Sequence, residues 1–213
     1  MTKVVGVIGV GNMGAAMAQN LLAHGYTVHV HDIEVSQMRP LRDVGAVVHD
    51  SPYALAQLAH LIIIAVVDAG QVSQVIAGEL GLSKVLTSDH TVMLCPTIAP
   101  DDVERFTQHL QSFGACVIDA PMSGGPARAA AGTMSLMVAC PNSVFAQHQA
   151  LLNDLSNQVF FVSGRVGDGA RIKLCNNLLL GISMAGVAEA MNLGQTLGMQ
   201  ASTLADIINH STG

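Results

Sequence analysis

The chain has 213 residues, of which 50% are hydrophobic and 11% charged, with a net charge of −6. Such a composition excludes a disordered chain and supplies a core for about one domain plus part of another. With 9 basic against 15 acidic residues and no basic cluster, it also excludes a nucleic-acid footprint.

In chain order, Val4 to Ile8 reads as a strand and Asn12 to His24 as a helix stopped by Gly25. A strand follows at Thr27 to Asp32, a helix near Glu34 to Asp43 and a short strand at Ala46 to Val48. Ser51 is placed to cap a helix with Pro52 at its first position. Leu61 to Val67 is a continuous apolar run, the mark of a strand covered on both faces. Further strands are expected at Val92 to Cys95, Cys116 to Asp119, Ser135 to Ala139 and Val159 to Val162, with a helix between Asp101 and Ser112. This alternation predicts an α/β protein with a Rossmann-type, doubly wound, mostly parallel sheet over residues 1–163. At Gly164 the texture changes. Between Leu174 and Ala205 the only charge is Glu189, and the pattern is helical, with Gly167 and Gly169 marking the hinge into it. Residues 164–213 therefore read as the start of an all-α C-terminal domain, with a second helix at Ser202 to Asn209. A helix apolar nearly all round requires cover from other helices or a partner chain, so self-association through 174–197 is expected.

The turn Gly9-Val10-Gly11-Asn12-Met13-Gly14 follows a strand and opens a helix. Gly9 permits the tight turn, Gly11 lets backbone approach a pyrophosphate, and Gly14 lets the helix pack close to the strand. Asn12 and Met13 begin the helix, whose N-terminal N–H groups and dipole attract phosphate, so both are counted as cofactor-binding positions. Asp32 lies 18 residues beyond Gly14, at the end of the next strand. There a carboxylate accepts from ribose hydroxyls and repels a 2′-phosphate, which favours NAD over NADP.

A second glycine turn, Asp119-Ala120-Pro121-Met122-Ser123-Gly124-Gly125-Pro126, also follows a strand. The Ser123 hydroxyl and the N–H groups of Gly124 and Gly125 suit a small carboxylate or hydroxyl group; the same residues also make an ordinary Pro/Gly turn. The chain has three lysines, Lys3, Lys84 and Lys173. Lys173 begins the apolar helix, and Asn177 shares its helical face four residues on. A lysine in apolar surroundings loses solvation and becomes a base useful near neutral pH; alternatively it snorkels to water. Arg171 is expected to face solvent or another subunit. The four cysteines (Cys95, Cys116, Cys140, Cys175) lack C-x-x-C spacing and read as buried, reduced thiols. His29 and His31 share a strand face without a third ligand at a recognisable spacing, so no metal site is expected. The apolar runs at 61–67 and 178–188 are too short to span a bilayer, and glycines break up the apolar N-terminus. A cytoplasmic protein with no membrane partner is expected.

The three motifs, in this order, resemble the β-hydroxyacid dehydrogenase family: its dinucleotide motif at 9–14, its substrate loop at 119–125 and its catalytic-lysine motif at 169–177. The chain is most similar to the 3-hydroxyisobutyrate dehydrogenase branch, through Lys173-Leu-Cys-Asn-Asn-Leu-Leu-Leu-Gly-Ile-Ser-Met and Glu189-Ala-Met-Asn-Leu-Gly194. The resemblance implies NAD(P)-dependent oxidation of a small 3-hydroxy acid to its semialdehyde, or the reverse. It makes Lys173 the general acid/base and Asn177 a catalytic or substrate-holding residue. Ser123, Gly124 and Gly125 then bind the carboxylate end, and Thr97 lies near the nicotinamide.

The chain departs from the family pattern in several places. Val66-Val67-Asp68 stands where the family often has Leu-Pro, and Cys95-Pro96 replaces Ser-Ser before Thr97; both resemble relatives that oxidise sugar acids such as threonate. Leu180 replaces the glutamate of the 6-phosphogluconate branch, and Lys173 argues against imine reductases, which usually lack it. The family continues into further helices beyond residue 213, so the chain reads as lacking them. A catalytically weak NAD-binding module is the alternative to an enzyme.

Overall fold

The apolar run at 61–64 is explained by burial on both faces: Ile63 enters one core, Ile62 and Ile64 the other. The computed structural model describes residues 3–211. Its elements begin with β1 (Val4–Ile8), α1 (Asn12–Ala23), β2 (Thr27–His31), α2 (Val35–Asp43), β3 (Val47–Val48), α3 (Pro52–Ala56) and β4 (Leu61–Ile64). There follow α4 (Ala69–Ala77), β5 (Thr91–Leu94), α5 (Pro100–Gln111), β6 (Cys116–Asp119), β7 (Met122–Ser123) and α6 (Gly125–Ala130). The order closes with β8 (Ser135–Ala139), α7 (Asn142–Leu155), β9 (Gln158–Ser163), α8 (Asp168–Thr196) and α9 (Ala201–His210). The sheet runs β3-β2-β1-β4-β5-β6-β8-β7, with β9 paired to β8. Pairing from β3 through β6 is parallel, whereas β8 is antiparallel to both β6 and β7. The expected doubly wound, mostly parallel sheet is therefore present. Chain order reverses between β1 and β4, and in such sheets the crevice at that reversal receives ligands.

Met17 and Leu21 of α1, Leu41 of α2 and Leu152 of α7 cover one sheet face. Leu55 of α3, Ile76 of α4 and Val103, Phe106 and Leu110 of α5 cover the other. Ser51 caps α3 as expected, its Oγ accepting from Ala54 N at 3.1 Å.

Three helices, α4, α6 and α7, escape the sequence reading, and the run read as a strand to Val67 pairs only as far as Ile64. The backbone leaves the sheet after Ala65, whose N–H still reaches Ile8 O at 2.8 Å. Asp68 then caps α4 by accepting from Gln71 N at 2.8 Å.

The chain divides into two compact units after Lys173. The second contains α8 from Leu174 onward and α9. Gly198, at φ 80°, turns the backbone, with Met199 N donating to Gly194 O at 2.9 Å. Leu204 packs on Gly194, where an added Cβ would lie 2.2 Å from Leu204 Cδ2. Leu178, Leu179, Ile182, Met184, Leu193 and Leu197 are all exposed. Its apolar runs alone look too short for a bilayer, but α8 is 29 residues long and long and apolar enough to cross one by length and composition. The difference arises because the helix continues through Asn176, Asn177 and Glu189, which interrupt the apolar runs without ending the helix.

Candidate cofactor and catalytic site

The turn after β1 requires its glycines. Gly9 has φ 86°, and a Cβ there would lie 2.8 Å from Val66 Cγ1. A Cβ on Gly14 would lie 1.9 Å from the backbone oxygen of Gly9, so α1 can dock on the turn only with glycine at that position. A Cβ on Gly11 would meet nothing within 4 Å, which leaves open space above exposed backbone. No acidic residue occupies the first turn of α1, and no side chain caps it at Gly11. The N–H groups starting at Asn12 and Met13 thus face outward, as an anion site requires.

Asp32 follows β2 and is tied to this turn. Its Oδ2 accepts from Val10 N at 2.7 Å and its Oδ1 from Glu34 N at 2.9 Å. A carboxylate oxygen accepts more than one hydrogen bond, so capacity remains on both atoms for a pair of hydroxyls. The open glycine turn, free helix N–H groups and oriented carboxylate fit a dinucleotide's pyrophosphate and ribose.

His29 and His31 are buried on β2, and their partner is His49, just after β3. His29 Nδ1 lies 2.7 Å from His49 Nε2, and His31 Nδ1 lies 2.9 Å from His49 O. Burial holds the pKa values of His29 and His49 below the ordinary imidazole value. No group of three or more potential metal ligands occurs among the described residues.

The second glycine turn leaves β7 and opens α6, after which the chain returns as β8. Ser123 of β7 pairs with Ser135 of β8, and Gly124 and Gly125 take φ values of 126° and 75°. Side chains other than glycine are strained at such angles. A Cβ on Gly125 would meet nothing within 4 Å, so its backbone is approachable. Thr97, in the loop after β5, is exposed.

Asp119, the last residue of β6, is 1% exposed. Its Oδ2 accepts from Gly167 N at 2.9 Å and Ala170 N at 3.1 Å. Burial outweighs these donors and pushes its carboxyl up to about 6. A Cβ on Gly169 would lie 2.7 Å from Met137 O and 2.9 Å from Asp119 Oδ2, so the first turn of α8 sits directly on the ends of β6 and β8.

Lys173 follows on that helix and is 8% exposed. Desolvation alone lowers its pKa; no partner among the described residues offsets it. Asn177 stands one turn further along α8, in the second unit, half-buried, with its Oδ1 accepting from Asn176 Nδ2 at 3.4 Å.

Two expectations need correction. Arg171 donates to Glu104 Oε1 at 2.7 Å and to Asp168 Oδ1 at 2.9 Å, so it braces the start of α8 instead of facing solvent or a partner. Arg165 joins the same glutamate at 3.1 Å. Cys95 and Cys140 are buried thiols, but Cys116 is half-buried and Cys175 exposed. The role of Asp119 escapes sequence reasoning, since its partners lie 48 to 51 positions away. The one local signal is an acid ending a strand immediately before a glycine turn.

The reversed sheet order and the uncapped glycine turn with its carboxylate define a dinucleotide-binding domain of the doubly wound class. Residues 4–164 match the model for the NAD binding domain of 6-phosphogluconate dehydrogenase. Residues 167–213 match that for the NAD-binding domain of NADP-dependent 3-hydroxyisobutyrate dehydrogenase. The chain belongs to the β-hydroxyacid dehydrogenase family, alongside the 3-hydroxyisobutyrate dehydrogenases.

The mitochondrial 3-hydroxyisobutyrate dehydrogenase of Bos taurus is 38% identical over 209 residues, 98% of this chain and 62% of the relative. The L-threonate dehydrogenase of Cupriavidus necator is 34% identical over 213 residues, 100% of this chain and 72% of the relative. The crystal structure of 3-hydroxyisobutyrate dehydrogenase from Salmonella typhimurium superposes with a TM-score of 0.90 at 29% identity, covering 99% of this chain and 73% of that one. The chain thus spans less than two thirds of the bovine relative's length.

Proposed function

We propose that this chain is the cofactor-binding and proton-transferring part of an NAD-dependent oxidoreductase. Its reaction is oxidation of a small 3-hydroxy acid, such as 3-hydroxyisobutyrate, to the semialdehyde, or the reverse. The observation that carries this reading is a buried lysine whose pKa desolvation alone lowers, on a helix seated on the strand end that opens the Ser123 turn. Residues Gly9, Gly11, Asn12, Met13, Gly14 and Asp32 would hold the dinucleotide, with Thr97 near its reactive ring. Bound NAD supplies the hydride acceptor.

Ser123 and the N–H groups of Gly124 and Gly125 take the substrate carboxylate. Neutral Lys173 removes the hydroxyl proton during oxidation; in reduction its ammonium returns that proton to the forming hydroxyl. Asn177 orients the reacting oxygen. Production of NADH with 3-hydroxyisobutyrate, glycerate and threonate tests the reading, and absence of turnover with all such acids overturns it. Threonate has support as a second substrate from the 34% identity to 72% of the threonate enzyme and from Cys95-Pro96 before Thr97.

Asp32, just after β2, would accept from the ribose hydroxyls and repel a 2′-phosphate. Replacing Asp32 with serine is expected to weaken NADH and relax discrimination against NADPH by about tenfold, roughly 1.4 kcal/mol. Fluorescence titration with both nucleotides measures this, and an unaltered protein that already prefers NADPH refutes the assignment.

A second copy of this chain is the proposed cover for the apolar surface of α8 between 174 and 197. The exposed leucines and isoleucine there are the support. Sedimentation at micromolar concentration should show a dimer or larger species, and a strict monomer contradicts it. A cytoplasmic location, without membrane or nucleic-acid partners, accompanies this reading.

A further inference from the structure

We propose that Asp119 is the positioning residue for Lys173: its buried carboxylate grips the first turn of α8 and so keeps the lysine in its dry setting. The inference rests on the reading of Lys173 as the acid/base.

Three facts support it. First, the carboxylate is 1% exposed and the N–H groups of Gly167 and Ala170 both bond to it. Negative charge at a helix N-terminus is favourable, and here it meets the outward N–H groups directly. Second, Gly169 touches both Asp119 and Met137 O so closely that a single methyl would push the turn away. The helix therefore has one seat, and Lys173 begins the next turn from it. Third, among the described residues no cation answers this buried charge. The titratable groups that act on it are Asp168 on α8, Cys95 after β5 and Cys140 after β8, none of them basic. The braces Arg171 and Arg165 spend their charge on Glu104 and Asp168 instead.

An ionised carboxyl buried without a cation weighs against stability. Its folded value of about 6 exceeds the ordinary 3.8, so the folded chain binds this proton more tightly than the unfolded one. Stability from this group is therefore fully present below about 3.8 and declines as pH rises through 6. At neutral pH the charge is retained at a cost, which a purely structural cap would not require.

The test is Asp119→Asn in the whole chain. The amide oxygen keeps an acceptor for the helix while the charge is lost. The melting temperature at pH 7.5 should hold or rise. Turnover (kcat) should fall about 10- to 100-fold, the scale of an ångström-level misplacement, with NADH affinity unchanged. The readout independent of turnover is the rate at which trinitrobenzenesulfonate labels Lys173, followed by mass spectrometry across pH, with exposed Lys84 as internal reference.

The labelling midpoint of Lys173 should move upward, toward the ordinary lysine value, as water reaches it. A midpoint that stays or falls overturns the inference even if the unaltered chain oxidises hydroxy acids. A midpoint that rises while turnover is unchanged upholds the anchor and removes Lys173 from the chemistry. A marked drop in melting temperature, with the midpoint unmoved, makes Asp119 a structural cap and overturns the inference as well.

Discussion

Replacing Lys173 with alanine should lower hydroxy-acid oxidation about 10²- to 10⁴-fold, the span that a positioned general acid/base contributes. NADH binding should change little, because the glycine turn and Asp32 do not depend on it. The expectation follows from the environment of the ammonium group. The side chain is 8% exposed, and burial alone lowers its pKa. Oxidation needs the neutral amine, so kcat/KM in that direction should rise with pH as Lys173 loses its proton. Lysine keeps this proton most readily in acid, and a lowered pKa moves the rise toward neutrality. The alanine variant should lose that limb of the profile along with the rate. Comparable turnover in the variant would refute the assignment, and an unchanged pH limb in its residual activity would assign the limb to another group.

The second large effect is expected for Gly14→Ala. The new methyl would lie 1.9 Å from the backbone oxygen of Gly9 and 3.4 Å from Ala65 Cβ. A backbone oxygen has no rotamer to escape into, so either α1 lifts or the Gly9 turn shifts. Overpacking of this kind costs about 1–3 kcal/mol, or roughly 2–4 °C of melting temperature per kcal/mol in a chain of this size. The effect on nucleotide should be larger than that on stability. Gly9 N donates to His31 O at 2.9 Å, and Val10 N holds Asp32 at 2.7 Å. Movement of the turn therefore disturbs the carboxylate as well as the helix N-terminus. A rise in the NADH dissociation constant of at least about tenfold is expected, or roughly 1.4 kcal/mol. Calorimetry and fluorescence titration on the same preparation would check both quantities; wild-type values for both would show that the turn can absorb the methyl group.

The parts of this molecule legible from sequence are those encoded by neighbours. The Gly9 to Gly14 turn, the carboxylate after β2 and the doubly buried β4 each depend on a few adjacent residues. Helix α4 had a local signal too: Asp68 accepts from Gln71 N while Gln71 Oε1 accepts from Val67 N at 3.0 Å. The apolar run before it masks that cap by extending the strand. Helix α7 begins after Pro141 with no side-chain cap, and only the spacing of Val144, Leu151, Leu152 and Leu155 marks its buried face. The role of Arg171 has no local signal, because its partner Glu104 lies 67 positions away, on α5. Asp119 is the same case at greater consequence: its donors exist only once the sheet has formed and the chain has returned across it.

That return sets a limit on dissection of the chain. Residues 1–163 contain all nine described strands of the sheet, yet they omit the two amides that satisfy the carboxylate at the end of β6. A nucleotide-binding fragment cut there would leave this carboxyl without its amide donors, to take up a proton or to expose its strand end. A fragment that keeps those bonds extends through the opening turn of α8, and so carries the start of the lysine's helix with the nucleotide fold.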